Sequence, residues 1–360
     1  EDASVSAQLA LRDGFRRLES LSIPVFLVHG NHDPLASRLR SVRWPGNVTV
    51  FGELPDAVPV FRKGEGTPLA IIHGASHASG RETRNLAALF RRTEACGLHV
   101  GLLHATPGDA DGVARYAPFS QEDLKASGMD YWALGHIHDR REVCREPLAA
   151  YPGCTQGLHI NEPGEKGCLL VTAEARPDGG YAVRTSFRPL GPAVWKTLDM
   201  DLGGAASLDE LENRLRTGLD RAAAEVWSGC EMLLVRLRLQ GRTELDGLLR
   251  KGTTCAELAD RLREDGNGVP RIWIKDIDVA TRPCVERGAL LEREDLLGEV
   301  FRLSEAARTA SGLQALREGP LAPLFAHARA GKALEPLTDE ELARLLDDAE
   351  SLCLDLLEND

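Results

Sequence analysis

Apolar positions along the chain change their period several times, and each change marks an element. Leu9, Leu11, Phe15, Leu18 and Leu21 recur at helical spacing and predict a helix over residues 5–21. The period then shortens at Ile23-Pro24-Val25-Phe26-Leu27-Val28, a compact apolar run that reads as a buried strand. Similar patterns predict strands at residues 48–51, 58–61, 69–73, 99–103, 131–134, 168–172 and 181–187. Helices are predicted at 84–93 and 121–126, the second opened by Ser120 with Asp123 three residues on, a variant of the capping box. Strands interleaved with helices imply a mixed α/β architecture for residues 1–190.

Near Gly191-Pro192 the pattern resets. A strand at 195–202, a helix at 208–224, a strand at 232–239, a helix at 255–263 and a strand at 271–279 predict a small α+β domain over 195–285. Residues 286–360 read as helical. Their last segment opens with a Thr338/Glu341 capping box, followed by Leu342, Leu345, Leu346, Ala349, Leu352, Cys353, Leu356 and Leu357 on one apolar face.

Composition narrows the class. With 360 residues, 43% apolar and 27% charged, the chain buries a substantial core in two or three domains, which excludes a disordered or collagen-like protein. No apolar run approaches the ~20 residues of a membrane span. The net charge of −12 is unevenly placed: residues 1–190 carry 21 Lys and Arg against 22 Asp and Glu, and residues 191–360 carry 22 against 33. The acidity therefore belongs to the second half and does not exclude a polyanionic substrate in the first. Eight scattered cysteines without a C-x-x-C pair suit a reducing cytoplasm.

Nine of the ten histidines fall in the first 160 residues. Three groups stand where a predicted strand meets a polar loop: His29-Gly30-Asn31-His32-Asp33, His104-Ala105-Thr106-Pro107-Gly108-Asp109 and Gly135-His136-Ile137-His138-Asp139. Ligands of open α/β sheets collect at the carboxyl ends of strands, and metal ligands must converge from rigid elements. Asn31 offers an amide oxygen, while His104, His136 and His138 offer nitrogens, a mixture that suits Mn, Fe or Zn better than Ca. A strand continuing through 135–138 would place both imidazoles on one face. His32, next to Asn31, is placed to protonate the leaving oxygen of a phosphate, with Asp33 or another carboxylate orienting it and raising its pKa.

Blander assignments go to the rest. His29, His73, His77, His99, His159 and His327 read as surface or satisfied core residues, Asp109 and Asp111 as turn residues. Cys96 near His99 lacks a third group for a thiol nucleophile. Arg38, Arg40 and Arg43 after the first cluster, and Arg140 and Arg141 after the last, are candidates for phosphate contacts or simply a solvated surface.

The order G-N-H-D, a strand ending in His104, and G-H-I-H resembles the calcineurin-like metallophosphoesterases. The text Tyr131-Trp132-Ala133-Leu134-Gly135-His136-Ile137-His138, with Tyr151-Pro152-Gly153-Cys154-Thr155-Gln156-Gly157, is similar to their DNA-repair exonuclease branch, which contains the bacterial SbcD nuclease subunit. The resemblance covers residues 1–190 and implies a β-sandwich flanked by helices, followed here by the small α+β domain and the C-terminal helices. It implies two divalent ions, usually manganese, and phosphodiester hydrolysis. By the same resemblance Asn31, His104 and His136 hold one ion, His138 the other, and His32 assists the leaving group.

One departure stands out: neither D-x-H nor G-D-x-x-D, the family's first two motifs, occurs in the sequence. The chain opens in the helix expected after the second, so about 50 residues, or two βα units, are expected to be missing ahead of it. Without the bridging carboxylate, the expectation is one weakly held ion, crippled catalysis and an exposed, aggregation-prone sheet edge. The partners implied are DNA, a coiled-coil ATPase docked on the last helix, and a second copy of the chain in a homodimer; no membrane is implied. A phosphoesterase of small nucleotides or phosphoproteins and a non-catalytic binding module are the rival readings.

Overall fold

The computed structural model describes residues 5–37, 42–108, 115–177, 179–264, 268–284, 287–327 and 337–357. Helix α1 (Val5–Ser20) follows the predicted apolar spacing and stops where Ser22 takes a left-handed φ of 57° ahead of Ile23-Pro24, which cannot extend a helix. Strand β1 (Val25–Leu27) then pairs in parallel with β2 (Val48–Val50), Val25 opposite Val48. Asn47 fixes this start by donating to the carbonyls of Ile23 (2.9 Å) and Phe15 (3.3 Å). Leu9, Leu11, Leu21 and Ile23 remain exposed.

Strands β3 (Asp56–Phe61), β4 (Pro68–Ala75), β5 (Leu98–His104), β6 (Tyr131–Gly135), β7 (Arg141–Arg145) and β8 (Leu148–Tyr151) form one sheet in the order β3-β4-β5-β6-β8-β7. The four inner strands are parallel and the two edge strands antiparallel to their neighbours. Because β4, β5 and β6 run the same way, with Ala75 opposite Leu103 and His104 opposite Gly135, their carboxyl ends share one edge. Helix α2 (Gln121–Ala126) carries the expected capping box, with Ser120 and Asp123 bonded reciprocally. Leu86, Phe90, Leu103, Leu124, Trp132 and Tyr151 are the large members of the core between these elements. The mixed α/β class read from the sequence thus holds.

Three local expectations change. The helix expected at 84–93 is only a 3-10 turn at Ala87–Leu89. There the Asn85 side chain accepts the Ala88 N–H and donates to Asp123, and Arg92 N–H bonds to Ser127, so competing partners take the backbone and amide groups a helix would use. Its apolar residues Leu86, Ala87 and Phe90 are buried without it. Strands β7 and β8 went unread because one is a charged edge strand and the other a four-residue run between prolines. Finally, β6 stops at Gly135, and His136 adopts φ 107°, so residues 135–138 are not a continuous strand and His136 and His138 do not share a strand face.

An antiparallel ribbon, β9 (Gly167–Ala175) and β10 (Tyr181–Pro189), follows. Then come β11 (Ala193–Asp201), α3 (Leu208–Ala224), β12 (Met232–Thr243), α4 (Asp246–Leu249), α5 (Thr254–Glu264) and β13 (Arg271–Pro283), with strand order β11-β12-β13. The remaining helices are α6 (Arg287–Leu291), α7 (Leu296–Ala307), α8 (Ala310–Glu318), α9 (Ala322–Ala326) and α10 (Asp339–Leu357).

The chain divides into two compact units, one of residues up to 200 with 213–238 and 253–278, the other of 201–212, 239–252 and 279–360. Within the first, Arg236 grips Asp276 through two bonds of 2.6 and 2.9 Å. Within the second, Leu290, Leu297, Phe301 and Leu354 form a small core, and Arg287 and Arg308 both bond the buried carboxylate of Glu350. The Thr338/Glu341 capping box is present at the start of α10. The buried line of α10 is not the predicted one: Leu342 and Leu354 are buried, whereas Leu345, Leu352, Leu356 and Leu357 are exposed. Among the described residues no helix is long and apolar enough to cross a membrane, and no cysteine of the eight forms a disulfide.

Candidate metal centre

The loop after β1 is stitched to the end of β4, which fixes Asn31 at the shared strand edge. His29 N–H donates to Ser76 Oγ (3.0 Å), His77 N–H to the His29 carbonyl (3.0 Å) and Leu35 N–H to the His77 carbonyl (3.0 Å). Asp33 closes the turn, its carboxylate accepting the Gly30 N–H at 2.9 Å and lying 3.3 Å from His29 Nδ1. Burial pushes the Asp33 carboxyl up, but His29 and the Gly30 N–H outweigh it and hold it below its ordinary value; His29 is raised by the same partner. Asp33 therefore serves His29 and the turn, not His32 as expected from the sequence. His32 itself is exposed beside Asn31.

At the end of β5, His104 Nε2 lies 2.9 Å from Asn31 Oδ1, across 73 residues of sequence. Gly30 makes this approach possible: a Cβ there would lie 2.6 Å from the His104 ring. The His136 ring stands 5.2 Å from that of His104, centroid to centroid, with Tyr116 edge-on to His136 at 5.3 Å. Behind His104, the buried His77 donates from Nε2 to the His104 carbonyl at 2.6 Å and packs edge-on against its ring at 5.2 Å. His77 Nδ1 is a buried nitrogen with no partner among the described residues. Burial, reinforced by His77 and His136, takes the His104 pKa down to about 3, so the ring is neutral and keeps a lone pair at neutral pH.

This donor set fits a divalent ion. Cis ligands around an octahedral ion, each about 2.1 Å from it, stand about 3 Å apart, which is the spacing of Asn31 Oδ1 and His104 Nε2. An amide oxygen and neutral imidazoles suit Mn, Fe or Zn. Among the described residues no further His, Cys, Asp or Glu completes a tight trio with His104 and His136.

His138 meets a carboxylate. Its Nδ1 lies 2.5 Å from Glu162 Oε1, and with Cys154 these side chains form a trio whose ligand atoms all lie within 4.8 Å of one another. Burial pushes the Cys154 thiol up. Arg140 stacks on Phe187 at 3.8 Å and Arg141 faces Tyr151 at 5.7 Å, both exposed near the start of β7. Arg38, Arg40, Asp109 and Asp111 lie outside the described residues.

Four of the histidines set aside in the sequence are buried: His29 and His77 brace the site, while His73 and His99 pair in the core at 2.9 Å. His99 also contacts the Ala95 carbonyl, so its ring is not poised for Cys96. His159, read from the sequence as a surface residue, is more than half exposed, while Glu162, which the sequence reading did not single out, is buried with its carboxylate facing His138 and His159.

Two family models match the chain: calcineurin-like phosphoesterase over residues 4–140, and the middle domain of metallophosphoesterase YhaO over residues 195–282. A relative in Bacillus subtilis (strain 168), the uncharacterized metallophosphoesterase YhaO, is 32% identical over 323 residues, which is 88% of this chain and 75% of that protein.

Proposed function

The chain belongs to the calcineurin-like phosphoesterases, a family of metal-dependent phosphoester hydrolases, and on that premise we propose that it acts on phosphodiesters of DNA with manganese-class ions. The single observation that carries the reading is the meeting of Asn31 Oδ1 with His104 Nε2 at a strand edge that also presents His136. Divalent ions at such a site polarise the phosphoryl group and activate water.

The chain's own residues supply the rest. Asn31, His104 and His136 hold an ion, with His104 kept neutral by burial and aimed by His77 behind it. By the family's pattern His138 would serve a second ion, which also needs the carboxylates of the D-x-H and G-D-x-x-D motifs that this sequence lacks. His32, exposed beside Asn31, donates a proton to the leaving oxygen. Arg140 and Arg141 engage neighbouring phosphates with guanidinium groups held against aromatic rings. The exposed Leu345, Leu352 and Leu356 on α10 support docking of a coiled-coil ATPase.

Manganese titration by calorimetry, followed by assays on linear duplex DNA and on a chromogenic phosphodiester, tests this. Weak binding of one ion that disappears in His104→Ala, together with manganese-dependent DNA cleavage that is slow because the bridging carboxylate is lacking, is the expected result. Cleavage of the chromogenic ester alone would move the substrate to small phosphodiesters. Binding without turnover of either would leave a non-catalytic module, and binding unaffected by His104→Ala would overturn the site itself.

A further inference from the structure

The loop after β8 fixes Glu162 before its side chain reaches His138. That loop begins at Gly153, whose φ is 83° and on which a Cβ would lie 2.7 Å from the His138 carbonyl and 3.2 Å from the Arg140 nitrogen. Only glycine therefore lets the chain pass against residues 138–140. Further on, a Cβ on Gly157 would lie 2.7 Å from the Glu162 carbonyl, and the Gly157 carbonyl accepts from Trp195 Nε1 at 2.9 Å. The loop closes where the Glu162 N–H bonds to the His159 carbonyl at 2.9 Å and the Gly164 N–H to the Trp195 carbonyl at 2.9 Å. Asp139, next to His138, pairs with the buried Lys166 at 3.6 Å.

The Glu162 side chain is aimed as well. Its Oε2 accepts the Leu158 N–H at 2.8 Å, a backbone donor that only an acceptor can face, and this turns Oε1 to His138 Nδ1 at 2.5 Å. The carboxylate is buried, whereas the His138 ring is more than half exposed. His159 Nε2 stands 3.6 Å from the same Oε1, past hydrogen-bond range, so His138 is the imidazole that Glu162 holds. A carboxylate accepts on both oxygens, so the shared proton sits on Nδ1 and the neutral ring keeps its lone pair on Nε2.

We propose that Glu162 is a positioning residue: it fixes the Nδ1–H tautomer of His138 and holds Nε2 as the ligand nitrogen of that ring. The inference deepens the reading of His138 as a ligand of the family's second ion and rests on it for its purpose, but the tautomer belongs to the metal-free chain. A ligand imidazole whose other nitrogen donates to a carboxylate is held in one orientation and made more basic, and loss of such a partner costs about 10–100-fold in ion affinity.

Glutamine at this position has the same size as glutamate but one acceptor instead of two. In Glu162→Gln the Leu158 N–H claims the amide oxygen, which leaves the NH2 group facing His138 Nδ1. Nδ1 must then accept, and the ring proton moves to Nε2. A residue that merely packed the loop would not couple its own chemistry to the tautomer of a neighbouring ring.

Long-range proton–nitrogen correlation spectra of the full chain, isotopically labelled at histidine, report which ring nitrogen carries the proton. They are recorded without metal at about pH 9, where an imidazole is ordinarily neutral, and the signals of His138 are those absent from His138→Gln. The unaltered chain should show Nδ1–H at His138 and Glu162→Gln should show Nε2–H, while the exposed His32 gives the same signals in both. Nε2–H at His138 in the unaltered chain, or the same tautomer in both proteins, overturns the proposal. Should Glu162→Gln fail to fold, the spectrum of the unaltered chain decides by itself. Failure of manganese binding or DNA cleavage would leave an Nδ1–H tautomer standing, and an Nε2–H tautomer would leave the Asn31–His104 centre standing, so the two readings fail separately.

Discussion

Replacing Gly30 by alanine is the sharpest probe of the Asn31–His104 contact, because it adds one methyl group and removes no ligand. The new Cβ would lie 2.6, 2.6 and 2.7 Å from three atoms of the His104 ring, against about 3.5–4.0 Å for an ordinary contact. The ring must therefore retreat by about 1 Å, beyond the ~0.5 Å within which a binding constellation tolerates displacement. It has little room to do so, since His77 and His136 stand against it at 5.2 Å on other sides. Overpacking of this kind costs about 1–3 kcal/mol. Gly30→Ala should thus stay folded with a lower urea midpoint and lose manganese binding measured by calorimetry. Gly14, in α1 with open space around its Cβ position, is the control, and Gly14→Ala should bind as the parent does and be slightly more stable. Manganese affinity unchanged in Gly30→Ala would refute the placement of His104 against the Asn31 loop.

Two further outcomes are expected. Burial, with His99 and Arg92 nearby, lowers the His73 pKa to about 4, so the fold disfavours its protonated form. The resulting stability is whole above the unfolded value of about 6.5 and is lost as pH falls toward 4, about 2 kcal/mol of it by pH 5. Urea midpoints at pH 8 and pH 5 should therefore differ less in His73→Gln than in the parent, and equal differences would contradict the assignment. On α10, Leu354→Ala should destabilise by about 2–5 kcal/mol and the exposed Leu352→Ala by no more than about 0.5 kcal/mol; thermal melts giving the reverse order would restore the face first read from the sequence.

Much of the first unit is legible because its signals are local. The apolar runs that become β4, β5 and β6 are short, buried and followed at once by polar loops, and the histidines at their ends carry the chemistry. Illegible parts depend on partners distant in sequence. Asn85 meets Asp123 across 38 residues and leaves a single turn where periodicity implies a helix. Asp33, adjacent to His32, prefers His29, since the turn that Gly30 begins points its carboxylate back. On α10 the register failed by a fraction of a turn: Leu354 packs with Leu297 and Phe301, and the stripe through Leu345, Leu352 and Leu356 is turned outward.

The G-H-I-H segment shows why spacing alone misread the backbone at this point. A strand would keep His136 and His138 on one face, with both imidazoles serving one cluster. Instead β6 ends at Gly135, whose carbonyl accepts the Ala105 N–H at 3.1 Å, and His136 takes φ 107°, a conformation that L residues rarely adopt. Strain of that order, about 1–3 kcal/mol, persists only where the surroundings impose it; here the rings of His104 and Tyr116 flank that of His136. The kink leaves His136 with its ring beside that of His104 at the strand edge and His138 against the Glu162 carboxylate of the following loop. Two histidines separated only by Ile137 thereby meet different neighbours, and the backbone angle at a single residue is what parts them.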